Sequence, residues 1–151
     1  MNTLTVITSF NEKRREKQIK YERSMLKELT IQMLRKKVRH FFGTLSSGAG
    51  VILDQAIEEG CFDIAIEAYL LGSRFSRFGY YGETVDQVKE RSIYELEQLS
   101  DALYDFIQFW VNIKSEQKMD ERLMIKCEQF VNEWWLEGFN RGRMKYKLRL
   151  H

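Results

Sequence analysis

From Leu26 to Phe42, apolar side chains recur at three- and four-residue steps. Leu26, Leu29 and Met33 form one stripe, and Ile31, Leu34, Val38, Phe41 and Phe42 form a second beside it. This spacing belongs to a helix, and an apolar arc so wide implies burial on more than one side. Ahead of residue 25 the pattern changes. The run "NEKRREKQIKYER" (11–23) is nearly all charged, with Ile19 and Tyr21 as its apolar members. The expectation is one long helix over 11–42, ending at Gly43, whose front projects and whose rear enters the core. "SFNE" (9–12) has the form of a capping box, Ser9 accepting from the backbone at position 12 and Glu12 reaching back. Residues 1–10, β-branched and ahead of that cap, are expected to be extended or mobile.

Four more helices follow by the same reasoning. "GTLSSGAG" (43–50) has loop composition. A short helix over 50–59 is expected to stop at Gly60, a usual C-terminal helix signal. A third, over 62–78, carries Phe62, Ala65, Ile66 and Tyr69 on one face. Its small residues Ala65, Ala68 and Gly72 would let another helix approach closely. After the turn "FGYYGE", Thr84 or Gly82 would cap a helix over 84–113. There Leu99, Phe106 and Ile113, interleaved with Leu96, Leu103 and Trp110, form a heptad seam. A polar link, "KSEQKMD", leads to a helix over 120–140 with Leu123, Cys127, Phe130 and Trp134 in line. The basic tail "RGRMKYKLRLH" is expected to fray. The chain has no proline, where average usage would give roughly seven or eight, and proline is what most often interrupts a helix. The fold class is therefore all-α: a single-domain bundle of about five helices with a long charged N-terminal helix.

Composition narrows the function classes. At 151 residues, with 44% apolar and 13% aromatic side chains, the chain can bury a core without cross-links. Its two cysteines, Cys61 and Cys127, form no CxxC and have no histidines near them, so neither a zinc site nor a disulfide framework is expected. Buried thiols in a reducing cytoplasm fit better. "MNTLTVITSF" lacks a basic leader, and no apolar run approaches the length of a membrane span, so a cytoplasmic location is expected. The net charge of +2 conceals a polarity: residues 11–40 carry eleven Lys/Arg against four Asp/Glu (net +7), and residues 51–105 carry four against twelve (net −8). That asymmetry suits self-association, internal neutralisation or an anionic partner.

The case for an enzyme is thin. The two histidines, His40 and His151, belong to no nucleophilic constellation, and no phosphate-binding glycine loop is present. Carboxylates are the better candidates. Glu97, Asp101 and Asp105 share a helix face, and Asp54, Glu58, Glu59, Asp63 and Glu67 cluster earlier. If those faces met, Asp54, Glu58, Asp63, Glu97 and Asp101 would offer Mg²⁺ hard oxygen ligands. "YELEQLSDALYDFI" (94–107) resembles the metal-binding helix of the all-helical nucleotide pyrophosphohydrolases. That resemblance implies a Mg²⁺-dependent phosphohydrolase as an alternative function, although Gln98 and Phe62 stand where the family has glutamates. A second local resemblance, over residues 49–72, is to a tetratricopeptide helical hairpin, with "GCFDIAIEAYLLG" (60–72) as its second half. Gly60, Phe62, Ala65 and Tyr69 match its pattern, which implies two short antiparallel helices.

"SRFSRFGYYGE" (73–83) alternates cations with rings, as surfaces that grip single-stranded nucleic acid do. Phe75 and Phe78 nevertheless continue the apolar stripe Ile64, Ala68, Leu71, so a packed turn is the expected reading. On that reading Arg74 and Arg77 pair with Glu67 or Glu83, or lie over Tyr80 and Tyr81. Replacing both by alanine should then alter stability more than binding. The basic residues of 11–23 spread around their helix, and the pI near 8.5 is modest, which makes nucleic acid the disfavoured partner. Taken together, "SFNEKRREKQIKYER" and "EEGCFDIAIEAYLLGSRFSRFGYYGET" resemble a family of short uncharacterised proteins from Bacillus-type spore-forming bacteria, which implies no activity. The leading expectation is a non-enzymatic interaction or regulatory protein without a cofactor. Lys13, Arg14, Arg15, Lys17, Lys20 and Arg23, with Arg74 and Arg77, would meet an acidic protein partner or the acidic segment of a second copy.

Overall fold

The computed structural model describes residues 3–43, 51–112 and 121–149 and contains helices throughout them: α1 (Thr3–Leu26), α2 (Ile31–Phe42), α3 (Val51–Tyr80), α4 (Val85–Arg91), α5 (Ile93–Asn112) and α6 (Glu121–Arg149). Residues 44–50 of the Gly/Ser loop expected over 43–50, the link at 114–120 and Ile113 lie outside the described residues.

The all-helical class holds, but the expected helix boundaries need correction. Residues 3–10 are the first turns of α1, so Ser9 lies inside the helix and caps nothing. The single helix expected over 11–42 is two. At the junction Glu28 and Leu29 bond back only three residues, to Met25 and Leu26. Thr30 then turns extended (φ −112°, ψ 156°) and its hydroxyl accepts from the Met33 amide. Phase explains the break. Met25 and Leu34 are both buried, yet nine residues of unbroken helix would set them on opposite faces. Interrupting the helix turns both stripes to one core. Ile31, placed on the buried face by its spacing, is exposed instead.

The expected stop at Gly60 is absent. α3 runs through it, and the tetratricopeptide-like hairpin does not form. A glycine inside a helix costs only about 1 kcal/mol, and here the missing Cβ makes room for the Phe106 ring of α5. Farther along, the small residues anticipated as a contact surface do receive a helix, α6. A Cβ on Gly72 would collide with the Trp135 carbonyl, and one on Gly138 with the Tyr69 carbonyl. Contacts Tyr69–Gly138, Ser76–Gly142 and Tyr80–Tyr146 advance together along both helices, so α3 and α6 are parallel. They form the central interface, with Trp134, Trp135, Phe130 and Phe139 fully buried against Ala65, Ala68 and Tyr69.

α3 ends in a Schellman turn. The Glu83 amide donates to the Phe78 carbonyl at 3.0 Å and the Gly82 amide to that of Gly79 at 3.2 Å. Gly82 supplies the φ of +110° that this turn requires. Thr84 caps α4 as expected, in a reciprocal capping box with Gln87. The helix expected over 84–113 is divided at Ser92, whose hydroxyl bonds back to the Lys89 carbonyl at 3.3 Å, a local bond that bends helices. The tail expected to fray is helical to Arg149. Lys145 reaches Glu28 at 3.6 Å, and Tyr146 packs edge-on against Tyr21.

Candidate functional site

α1 crosses the last turns of α3 and α6 and leaves a groove of about 640 Å³ between them. Its α1 wall is a single helix face, Arg14, Lys17, Gln18, Tyr21 and Glu22. Its α3 wall includes Arg74, Phe75, Arg77 and Phe78, and Tyr146 of α6 closes one end. The whole of 11–20 is exposed, and the first core residue after that stretch is Met25. The charged front of the helix thus stays outside the bundle, as its composition requires.

The charges in the groove are not equivalent. Arg74 Nε donates to Glu22 at 2.7 Å, not to Glu67 or Glu83, so it is neutralised across the groove. Arg77 lies 4.9 Å from the Phe78 ring centroid rather than over the tyrosines. Glu83 is held instead by Arg91 through two 2.8 Å bonds, which keep its carboxyl below the usual range, and Arg91 covers Phe78 at 4.0 Å. Among the described residues Arg14, Lys17 and Arg77 enter no ion pair. Three uncompensated cations and four rings, Tyr21, Phe75, Phe78 and Tyr146, therefore line one concavity. Lys20 faces a smaller neighbouring depression of about 380 Å³ with Tyr21, Ser24, Lys145 and Leu148. Lys13, Arg15 and Arg23 are exposed and line neither. Tyr146 escaped the sequence reading because the tail carries no apolar stripe. Tyr21 was legible as one of two apolar residues in a charged run.

Among the described residues the carboxylate set is not assembled. Glu58 accepts from Arg35 at 2.7 Å, while Asp63 is exposed. Glu97 and Asp101 turn toward Glu128 and Asn132 of α6, in a depression of about 400 Å³, and not toward α3. Asp54's side chain lies outside the described residues. Among the described residues no three His, Cys, Asp or Glu side chains gather as metal ligands. Cys61 and Cys127 are buried and unpaired, and burial pushes both thiols up to about 12, which leaves them protonated and unreactive near neutrality. Among the described residues no helix is long and apolar enough to cross a membrane.

Among its described residues the chain is thus an all-helical bundle with a cationic, ring-lined groove between α1 and α3. The chain belongs to the family described as "Protein of unknown function (DUF2521)", whose model matches residues 4–151. It is 33% identical over 144 residues to "Uncharacterized protein YbaK" of Bacillus subtilis (strain 168), covering 95% of this chain and 97% of that one. The resemblance to Bacillus-type proteins first carried by two segments thus extends over nearly the whole chain. No solved structure matches it significantly.

Proposed function

We propose that this protein is a non-enzymatic interaction or regulatory protein that receives an acidic segment of a protein partner in the groove between α1 and α3. The observation that carries this reading is the convergence of Arg14, Lys17 and Arg77, each without an ion pair among the described residues, on one ring-lined concavity. Uncompensated cations attract carboxylates and speed encounter, while adjoining rings supply apolar contact area. The exposed acids of α3 and α5, among them Glu59, Asp63, Glu67, Asp101 and Asp105, would repel a polyphosphate backbone elsewhere on the surface, which favours a protein segment over nucleic acid.

Fluorescence anisotropy tests this with a labelled Glu-rich peptide carrying tyrosines, its Gln-substituted counterpart and a single-stranded oligonucleotide. The reading expects binding of the Glu peptide alone, weakening as salt rises from about 50 mM to about 500 mM. It also expects loss of that binding in Lys17→Glu/Arg77→Glu. Tighter binding of the oligonucleotide, or equal binding of the Gln peptide, would overturn it.

A further inference from the structure

We infer that the occupant of the groove is a second copy of this chain, which presents the outer face of α5. The inference rests on the groove reading above and goes further by assigning the partner.

Glu97, Asp101 and Asp105 lie on one line of α5, and Tyr94 and Phe109 continue it at either end by steps of three and four. All five are exposed; the two rings are 65% and 62% so. None of the three carboxylates is in an ion pair among the described residues. The face is thus the counterpart of the groove: three uncompensated anions between two exposed rings, against three uncompensated cations among rings. The fifteen helical steps from Tyr94 to Phe109 span about 22 Å, enough to lie along the groove wall from Arg14 to Glu22, which covers about 12 Å.

The chain does not use this complementarity on itself. Residues 11–40 carry a net +7 and residues 51–105 a net −8. Yet among the described residues Arg35–Glu58 alone joins a cation of the first segment to an acid of the second. The other pair between these segments, Arg74–Glu22, has the opposite sense. Among the described residues α1 makes no contact with α5, so the opposed charges of these two helices can neutralise each other between molecules. A large apolar residue left in water at each end of the acidic line is also what an interface would cover.

Light scattering after size exclusion tests the inference on the full chain, at about 50 mM and about 500 mM salt. The wild type is expected to exceed the single-chain mass of 18.1 kDa at low salt and to return to it at high salt. Lys17→Glu/Arg77→Glu and Asp101→Lys/Asp105→Lys should each run as single chains at low salt, because like charges then face each other. Mixing the two variants should restore association, since the intact groove of one meets the intact stripe of the other. Circular dichroism monitors folding, and Lys17→Gln/Arg77→Gln replaces the groove variant if its helicity falls. A wild type that stays single-chain at low salt overturns the inference, as does association that survives either reversal or fails to return on mixing. If the wild type is single-chain yet binds the Glu peptide through Lys17 and Arg77, the second copy falls and the groove reading stands. If the peptide also fails to bind, both fall.

Discussion

The hydroxyl of Tyr21 donates to the Ser73 carbonyl oxygen at 3.0 Å, joining α1 to α3 across 52 residues of sequence. It also lies 3.4 Å from Ser76 Oγ. These contacts, the Glu22–Arg74 pair and the buried Met25 dock the rear of α1 and thereby set the width of the groove. Tyr21→Phe keeps the ring against Tyr146 and removes the hydroxyl. The expected loss is about 1 kcal/mol, the net worth of a typical hydrogen bond. Urea unfolding should show it, and hydrogen exchange should show faster opening confined to α1.

The approach of α3 to α6 makes a sharper prediction. Gly72→Ala would drive a methyl group into the Trp135 carbonyl, backbone that cannot swing aside. Its cost should be about 3 kcal/mol, the upper part of the usual range for overpacking. Gly82→Ala meets open space but must hold φ at +110°, for which about 1–2 kcal/mol is expected. Chemical denaturation should rank Gly72→Ala as the more damaging. The reverse order would mean that the interface is looser than its geometry.

Alanine at both Arg74 and Arg77 separates the two readings of "SRFSRFGYYGE". The sequence alone favoured a stability effect. In the structure the Arg74–Glu22 pair is partly exposed, and such pairs contribute roughly 0–1 kcal/mol. Arg77 has no acidic partner among the described residues. The double variant is therefore expected to melt within a few degrees of wild type while losing binding of the Glu-rich peptide. Calorimetry and anisotropy on the same sample decide between the two.

Alkaline pH should weaken the fold. Burial pushes the Cys61 and Cys127 thiols from 9.0, and the Tyr69 phenol from 10.0, up to about 12. The Tyr69 hydroxyl also donates to the Met25 carbonyl at 2.9 Å. The unfolded chain gives up these protons at lower pH than the native one. Stability from these groups is thus complete below about pH 9 and declines as pH climbs toward 12. Melting temperatures should fall across that window, and Cys61→Ala/Cys127→Ala should flatten the decline. Thiol alkylation of the native protein near neutrality should be slow, and fast once it is unfolded.

What the sequence determined by itself was local. Periods of three and four residues and the absence of proline made the chain helical, and charge density kept 11–20 in water. Small residues at 65, 68 and 72 marked a close helix contact, and Thr84 marked a start. Tertiary packing decided where helices break and where they continue. Gly60 looked like a stop because the local cost of glycine was legible and the Phe106 ring that fills its vacancy was not. Residues 27–30 looked helical because nothing local reveals that Met25 and Leu34 must face the same core. Such choices turn on a few kcal/mol of packing between distant segments, which outweighs local preferences of about 1 kcal/mol. The groove follows the same rule: Arg14 and Lys17, Arg77, and Tyr146 lie far apart in the chain, and only the parallel packing of α3 on α6, with α1 laid across it, brings them together.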